Sequence, residues 1–447
     1  MESLDDAVSL FTSKLGNKDL DLKSNRIRAP YVHRQCICIM GFIISLAIVP
    51  FLLLILVRSL EQKPVFYHLP FIENLNCGLV FEDSHKGLKY RENLAKYRII
   101  YKDEGSLKTD CDSIKSRGYF PKTALTKDEE NFPIAFARIV YKDYYFLESQ
   151  LRVEYAPQNI FCYLLDSKAE KLFKKRIRNL GKCFDNVIVP EEEIDVRSEG
   201  HNMTVAHLTC LNHLRSYRWK YVILLQNHDI KLKTNGELVK ILKIFNGAND
   251  ISAKELNTLH PLNITKSLVQ VSISREAVDY VLDELDVGLF IKQLELKDFG
   301  VDELFWATLN TDQVINLPGG FTRECLTQND QIYMTTRFTA WMREKKPIIP
   351  CKSSFFRRWV CVFGVEDLPN LVHVHQLYAN KLLSEFDFAA VTCLLEHVYN
   401  RTYFPTENSF FNLEKYSQLP HIRFHNQKMK NQINNFNCSE SSGLPYE

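Results

Sequence analysis

Apolar positions fall into two rhythms along this chain. The first is a single block, Cys36–Val57 (CICIMGFIISLAIVPFLLLILV), with no charged residue among its 22 positions. As a helix it would extend about 33 Å, close to the hydrocarbon thickness of a bilayer. It predicts one transmembrane helix, in which Pro50 is tolerated. Residues 58–130 are polar and weakly periodic and read as a stem and N-terminal segment. The second rhythm starts at Phe132, where short apolar runs alternate with amphipathic stretches. Pro133–Tyr141, Ile160–Leu165, Val187–Val189 and Tyr221–Leu225 are apolar on both faces, as buried parallel strands require. Tyr144–Arg152 and Ala169–Leu180 read as helices, the second with Leu172, Phe173, Ile177 and Leu180 on one face. Its cluster Lys174, Lys175, Arg176 and Arg178 reads as the solvated face. Strands alternating with helices predict an α/β domain with a mainly parallel sheet, whose ligands sit beyond the carboxyl ends of the strands. Asp166 and Asp229 stand at two of those ends. No Gly-x-Gly-x-x-Gly or Gly-Lys-Ser/Thr loop supports a dinucleotide or P-loop site.

Charge sets the orientation of the apolar block. Lys23, Arg26, Arg28 and Arg34 precede it, whereas Arg58 and Lys63 after it are offset by Glu61. The positive-inside rule places residues 1–35 in the cytosol and the rest beyond the membrane, a type II arrangement. No small-residue cleavage site follows the block, so it reads as a retained signal-anchor. Ten of the 12 cysteines lie on the far side, an even count suited to disulfides in an oxidising compartment. So do the Asn-x-Ser/Thr sequons at Asn202, Asn263, Asn400 and Asn437. The formal net charge of +2 excludes a general nucleic-acid binder.

FPIAFARIV (132–140), YAPQNIFCYLLDSKAE (155–170), CFDNVIV (183–189), WKYVILLQNHDIKLKTN (219–235), VDELFWATLN (301–310), LPGGF (317–321), WVCVFGVEDL (359–368) and HQLYANK (375–381) follow in order. Together they resemble the core 2/I-branching β-1,6-N-acetylglucosaminyltransferases over roughly residues 75–400. The resemblance implies a Rossmann-like fold of the GT-A type in residues 131–402, followed by a C-terminal extension, 403–447. It implies a Golgi enzyme whose lumenal domain transfers N-acetylglucosamine from UDP-GlcNAc to a glycan acceptor, with inversion, a β-1,6 branch and no metal or other cofactor. On the matching motifs it makes Glu303 the catalytic base. Arg358 and Lys381 become diphosphate contacts, and Asp166 and Val140 the uridine side. Trp341 becomes an acceptor contact. It pairs Cys77 with Cys393, Cys111 with Cys183, Cys162 with Cys210 and Cys351 with Cys361, and leaves Cys325 and Cys438 either to join each other or to stay free.

The chemistry of these roles is coherent. An inverting transfer is one in-line displacement, so a carboxylate takes the acceptor hydroxyl's proton while cations receive the charge of the departing UDP. Asn227-His228-Asp229 stands where metal-dependent transferases carry Asp-x-Asp, and one carboxylate is a poor Mg²⁺ or Mn²⁺ site. His201 and His228 read as polar loop residues. On the acceptor side the chain departs from the family: Arg343 replaces a Tyr, Ser198–Asn202 replaces an aromatic, and the stretch between Asn235 and Ser267 is short. The competing readings are a related transferase using another UDP-sugar such as UDP-xylose, and a catalytically silent glycan-binding protein.

Overall fold

Two strands buried at every position set the frame of the domain: β1 (Ile134–Val140) and β2 (Ile160–Asp166). Alternation along a strand sends successive side chains to opposite faces. Phe136 and Val140 of β1 therefore join one core, while Ala135, Ala137 and Ile139 join the other. Helices α1 (Tyr144–Glu154) and α2 (Lys171–Lys182) pack into the first core. Helix α3 (Met203–Leu214) covers the second, pinned to β2 by the Cys162–Cys210 disulfide. The result is a three-layer α/β/α arrangement.

The rest of the sheet follows from β3 (Val187–Ile188), β4 (Glu193–Ile194) and β5 (Tyr221–Gln226). β1 lies between β2 and β5, parallel to both, and β3 and β4 run parallel to β2. After β6 (Ile230–Lys231), strand β7 (Ser272–Ser274) closes the far side, antiparallel to β5. Val140 pairs with Leu165 and Ile139 with Gln226, so β1, β2 and β5 end together at one edge. A second small sheet forms beyond that edge. In it β8 (Arg337–Phe338) runs parallel to β11 (Tyr378–Ala379), which is antiparallel to β6. Between them in the chain, β9 (Phe356–Arg357) and β10 (Val360–Cys361) make a hairpin, braced by the Cys351–Cys361 disulfide.

This computed structural model describes residues 64–256, 263–328, 335–344, 347–405, 412–433 and 436–438. The predicted span 36–57 lies outside them, and among the described residues no helix is long and apolar enough to cross a membrane. Three expectations change. Residues 64–130, read as stem, belong to the same compact unit as the sheet. Their short helices bury only one or two side chains each, such as Val80, Leu94 and Ile114, so their periodicity is faint. Cys77–Cys393 and Cys111–Cys183 hold this segment in place. Within α2, Leu172 is 45% exposed and not part of the apolar face. Arg176 is buried instead of solvated, and its guanidinium donates to Glu104 O. Lys175 is exposed, while Lys174 and Arg178 are half-buried and pair with Glu193.

The C-terminal extension is also folded onto the domain. A helix over Pro420–Met429 brings His421 within 3.1 Å of the buried Asp250 carboxylate. Phe321, Phe424 and Phe436 cluster around a fifth disulfide, Cys325–Cys438. A crosslink closing a loop of this length contributes about 2–4 kcal/mol, mainly by restricting the unfolded chain. Replacing Cys325 and Cys438 together by Ser is expected to lower stability by that amount in thermal unfolding. Limited proteolysis of the variant is expected to cut first within 412–438.

Candidate functional site

The edge where β1, β2 and β5 end is a polar lattice built around Asp229. This carboxylate is wholly buried. It accepts from Gln226 N at 2.6 Å, from Gln270 Nε2 at 2.9 Å and from Asn380 Nδ2 at 2.8 Å. Arg138 projects from β1 and donates to the carbonyls of Asp229 (2.8 Å) and Gln226 (3.1 Å), with Glu154 as its counter-ion. Asn227 receives the backbone N–H groups of Tyr141 and Lys142, and His228 bonds Asp143 at 2.5 Å. Burial depresses the His228 pKa, opposed by that carboxylate. The Asn-His-Asp turn is thus spent on joining two strand ends.

The sequence-predicted residues distribute around this edge. Asp166 ends β2, where Lys168 contacts its Oδ1 at 3.1 Å and also bonds Asp195 and Val196 O. Those bonds begin the loop 195–202. Val140 ends β1, but its side chain is fully buried, so it presents no surface to a ligand. The neighbouring Tyr141 is 42% exposed and was not anticipated. Glu303 lies in the 3-10 turn Val301–Glu303, opening toward a helix over Phe305–Thr311. Lys266 Nζ sits 2.7 Å from Glu303 Oε2, in an ion contact off the hydrogen-bonding direction. Ser267 N donates to the Glu303 carbonyl at 2.7 Å.

One loop connects these pieces. Gly300 N donates to Glu199 O at 2.7 Å, and Arg358 Nη1 reaches Ser198 O at 3.4 Å. Gly200 adopts φ +102°, and a Cβ there would collide with the Asp302 carboxylate, so glycine is required at that contact. Arg358 and Trp359 form the tip of the β9–β10 hairpin, both with positive φ, as a tight primed turn demands. Trp341 pairs with Val360 across a β-bridge and is 42% exposed. Arg343 lies 4.3 Å from the centre of the Trp359 ring, a cation–π contact. Thus Glu303, Arg358 and Trp341 are brought to one neighbourhood, with Trp359, Arg343 and Lys266 added to it. Asp166 is joined to the same loop through Lys168.

Lys381 follows Asn380 on the other flank. Burial, then the charges of Arg337, Arg357 and Arg358, hold its ammonium down to about 8, against the attraction of Asp229. Arg357 is neutralised by Glu385 at 2.7 Å. Among the described residues, neither Arg358 nor Lys381 is ion-paired to a carboxylate. Two such cations near one edge are suited to an anion. Sequence reasoning missed Arg337, Gln270 and Asn380, whose relation to Asp229 exists only in three dimensions. One trio, His68, Cys77 and Glu396, has metal-like spacing, but the Cys77 sulfur is held in a disulfide and offers no thiolate. His201 pairs with Glu295 at 2.7 Å. Of the sequon asparagines, Asn263, Asn400 and Asn437 are exposed and Asn202 is half-buried.

Beside Glu303, burial and then the Glu303 charge push the Asp302 carboxyl up to about 7. A folded-state pKa above the ordinary carboxylate value favours folding while the group is protonated. That contribution is present below about pH 4 and is lost as pH rises to about 7. Asp302→Asn is therefore expected to raise the melting temperature relative to the parent by an amount that grows from about pH 4 and levels off above about pH 7. Parallel melting-temperature curves across that range would show that the Asp302 carboxyl is unperturbed.

A family profile, Core-2/I-Branching enzyme, matches residues 134–260 and 252–372. A Bos taurus β-1,3-galactosyl-O-glycosyl-glycoprotein β-1,6-N-acetylglucosaminyltransferase is 29% identical over 393 residues, 76% of this chain and 91% of the relative. The Mus musculus enzyme 4 of that name is 30% identical over 363 residues, 72% of this chain and 79% of the relative. The Homo sapiens enzyme 3 is 28% identical over 383 residues, 76% of this chain and 86% of the relative. The matched segments hold β1, β2, β5, Glu303 and Arg358, and this chain belongs to the core-2/I-branching enzyme family of glycosyltransferases.

Proposed function

We propose that this chain is an inverting, metal-independent transferase that moves N-acetylglucosamine from UDP-GlcNAc to a glycan hydroxyl, forming a β-1,6 branch. The observation that carries this reading is the loop 195–202. Its Ser198 carbonyl meets Arg358, and its Glu199 carbonyl meets Gly300, three residues before Glu303. A candidate base and a candidate leaving-group cation therefore flank one short segment at the ligand-binding edge of the sheet.

The reaction assigned to these groups balances in one step. Glu303 takes the proton of the acceptor hydroxyl as that oxygen attacks the anomeric carbon. The bond from that carbon to the UDP oxygen breaks on the opposite side, which inverts the centre. Arg358 and Lys381 receive the charge that develops on the diphosphate. Asp166 serves the uracil end, and Trp341 offers an aromatic face to the acceptor. Lys266, 42% exposed at its side chain, meets an acceptor arriving at Glu303. The relatives' names specify a β-1,3-galactosyl-O-glycosyl-glycoprotein as substrate, so that class is the first acceptor to test here.

Metal independence is supported by the donor set. The one carboxylate of the Asn-His-Asp turn is buried and already accepts hydrogen bonds from three donor groups. Binding a divalent ion there would mean stripping those partners away. The apolar block 36–57 and its flanking charges support a type II placement in the Golgi membrane with the domain in the lumen.

Glu303→Gln is expected to reduce transfer by about 10²–10⁴-fold, while calorimetric UDP affinity stays near that of the parent. Transfer within a factor of a few of the parent would remove Glu303 from the role of base. With excess EDTA, transfer from UDP-GlcNAc is expected to continue at nearly the full rate. A collapse that Mn²⁺ restores would count against Arg358 and Lys381 as the groups that stabilise UDP.

A further inference from the structure

We propose that Arg337 is a positioning residue that clasps Asn380 and thereby sets Lys381 for an anionic diphosphate. This rests on the reading of Lys381 as a donor contact, and adds a residue which that reading does not contain.

The clasp is a closed ring of hydrogen bonds. Arg337 Nη2 donates to Asn380 Oδ1 at 2.8 Å, and Nη1 donates to Gln270 Oε1 at 2.6 Å. Each amide then turns its NH₂ to Asp229, Asn380 on Oδ1 and Gln270 on Oδ2. An amide whose oxygen is taken by a guanidinium can present only its NH₂ to the carboxylate, so one cation fixes the orientation of both side chains. The backbone adds a second tie: β8 and β11 are parallel neighbours, and Asn380 N donates to Phe338 O at 2.9 Å. Arg337 is thus held on two sides and holds Asn380 in turn. Its Nε is buried without a hydrogen-bond partner.

The charges support the same role. Arg337 is the foremost cation acting on Lys381, and Arg357, Arg358, His228 and Asp229 are the other charged or titratable groups that act with it. Arg337 also feels Glu303 and Asp302, so it stands electrically between the two halves of the site. With Arg357 paired to Glu385, the cations Arg337, Arg358 and Lys381 still outnumber the hydrogen-bonded Asp229 carboxylate beside them, and an arriving diphosphate relieves that surplus positive field.

The test is UDP binding to the full chain, measured by calorimetry from pH 6.5 to 9.5, with Lys381→Ala as reference. In the parent, affinity is expected to fall as pH rises and Lys381 loses its proton. Arg337→Gln and Arg337→Lys are both expected to weaken UDP by about tenfold or more, because each breaks charge-assisted bonds of the clasp. They should separate in pH dependence. Arg337→Gln removes a neighbouring cation, which raises the Lys381 pKa and moves the midpoint of the affinity loss upward. Arg337→Lys retains the charge and leaves the midpoint in place. Equal midpoints in the two variants, or UDP affinity within twofold of the parent in Arg337→Gln, would overturn the proposal. If Lys381→Ala also binds UDP like the parent, the donor reading itself has failed and the proposal falls with it. Should Arg337→Gln fail to fold, Asn380→Ala breaks the same clasp from its other end. Weakened UDP with the parent's midpoint supports the clasp, and undiminished affinity refutes it.

Discussion

A carboxylate taken out of water must be surrounded by donors, and Asp229 imposes that requirement on everything at the strand edge. It stands just past β5 and draws Gln226, Gln270 and Asn380 inward from three places in the chain. Arg138 repeats the demand from inside the sheet, since a guanidinium in a buried strand must find carbonyls and a counter-ion. Both requirements are met by the same turn. Two apolar cores stabilise the layers, but a few buried charges decide where the segments from 270, 337 and 380 lie against them.

The site inherits this division. One flank is assembled from polar groups locked by the lattice, with Lys381 next to Asn380. Its other rim is the β9–β10 hairpin, whose tip carries Arg358 and Trp359 in left-handed conformations and whose neighbours include Trp341 and Arg343. The loop 195–202 runs between the two, fastened at one end by Lys168 and at the other by Glu295, which bonds both His201 and Asn202 N. A loop with that many anchors acts as a spacer of defined length between the groups it touches.

How legible this was depended on range. β1, β2, β5, α1 and α2 were readable because burial on both faces, or on one helical stripe, leaves its mark within ten residues. Strand β7, three residues long, left no such mark. The stem boundary was misjudged because helices that bury one residue per turn or fewer look like exposed chain. Leu172 and Arg176 exchanged their expected roles because helical periodicity does not reveal which neighbour supplies carbonyls; here it was the backbone at Glu104. Glu303, Arg358, Lys381 and four cysteine pairs came from motif resemblance. The structure brings the cysteines together as that resemblance implies and adds Cys325–Cys438. Arg337, Gln270 and Lys266 have no local signature at all. Their part is defined by bonded partners dozens of positions away.

The Cys77–Cys393 bridge has a consequence for how this molecule is made. Its two cysteines are separated by 316 residues, so the first leaves the ribosome long before its partner exists. At common elongation rates that interval is on the order of 15–60 s. During it Cys111, Cys162, Cys183, Cys210, Cys325, Cys351 and Cys361 emerge in turn, and each is a chemically competent wrong partner for Cys77. The bridge is therefore a seal applied after synthesis, and correct closure requires either that Cys77 stays reduced or that early mispairings are reshuffled. Yield of active protein from any host should accordingly follow its thiol-exchange capacity more closely than its capacity to translate the chain.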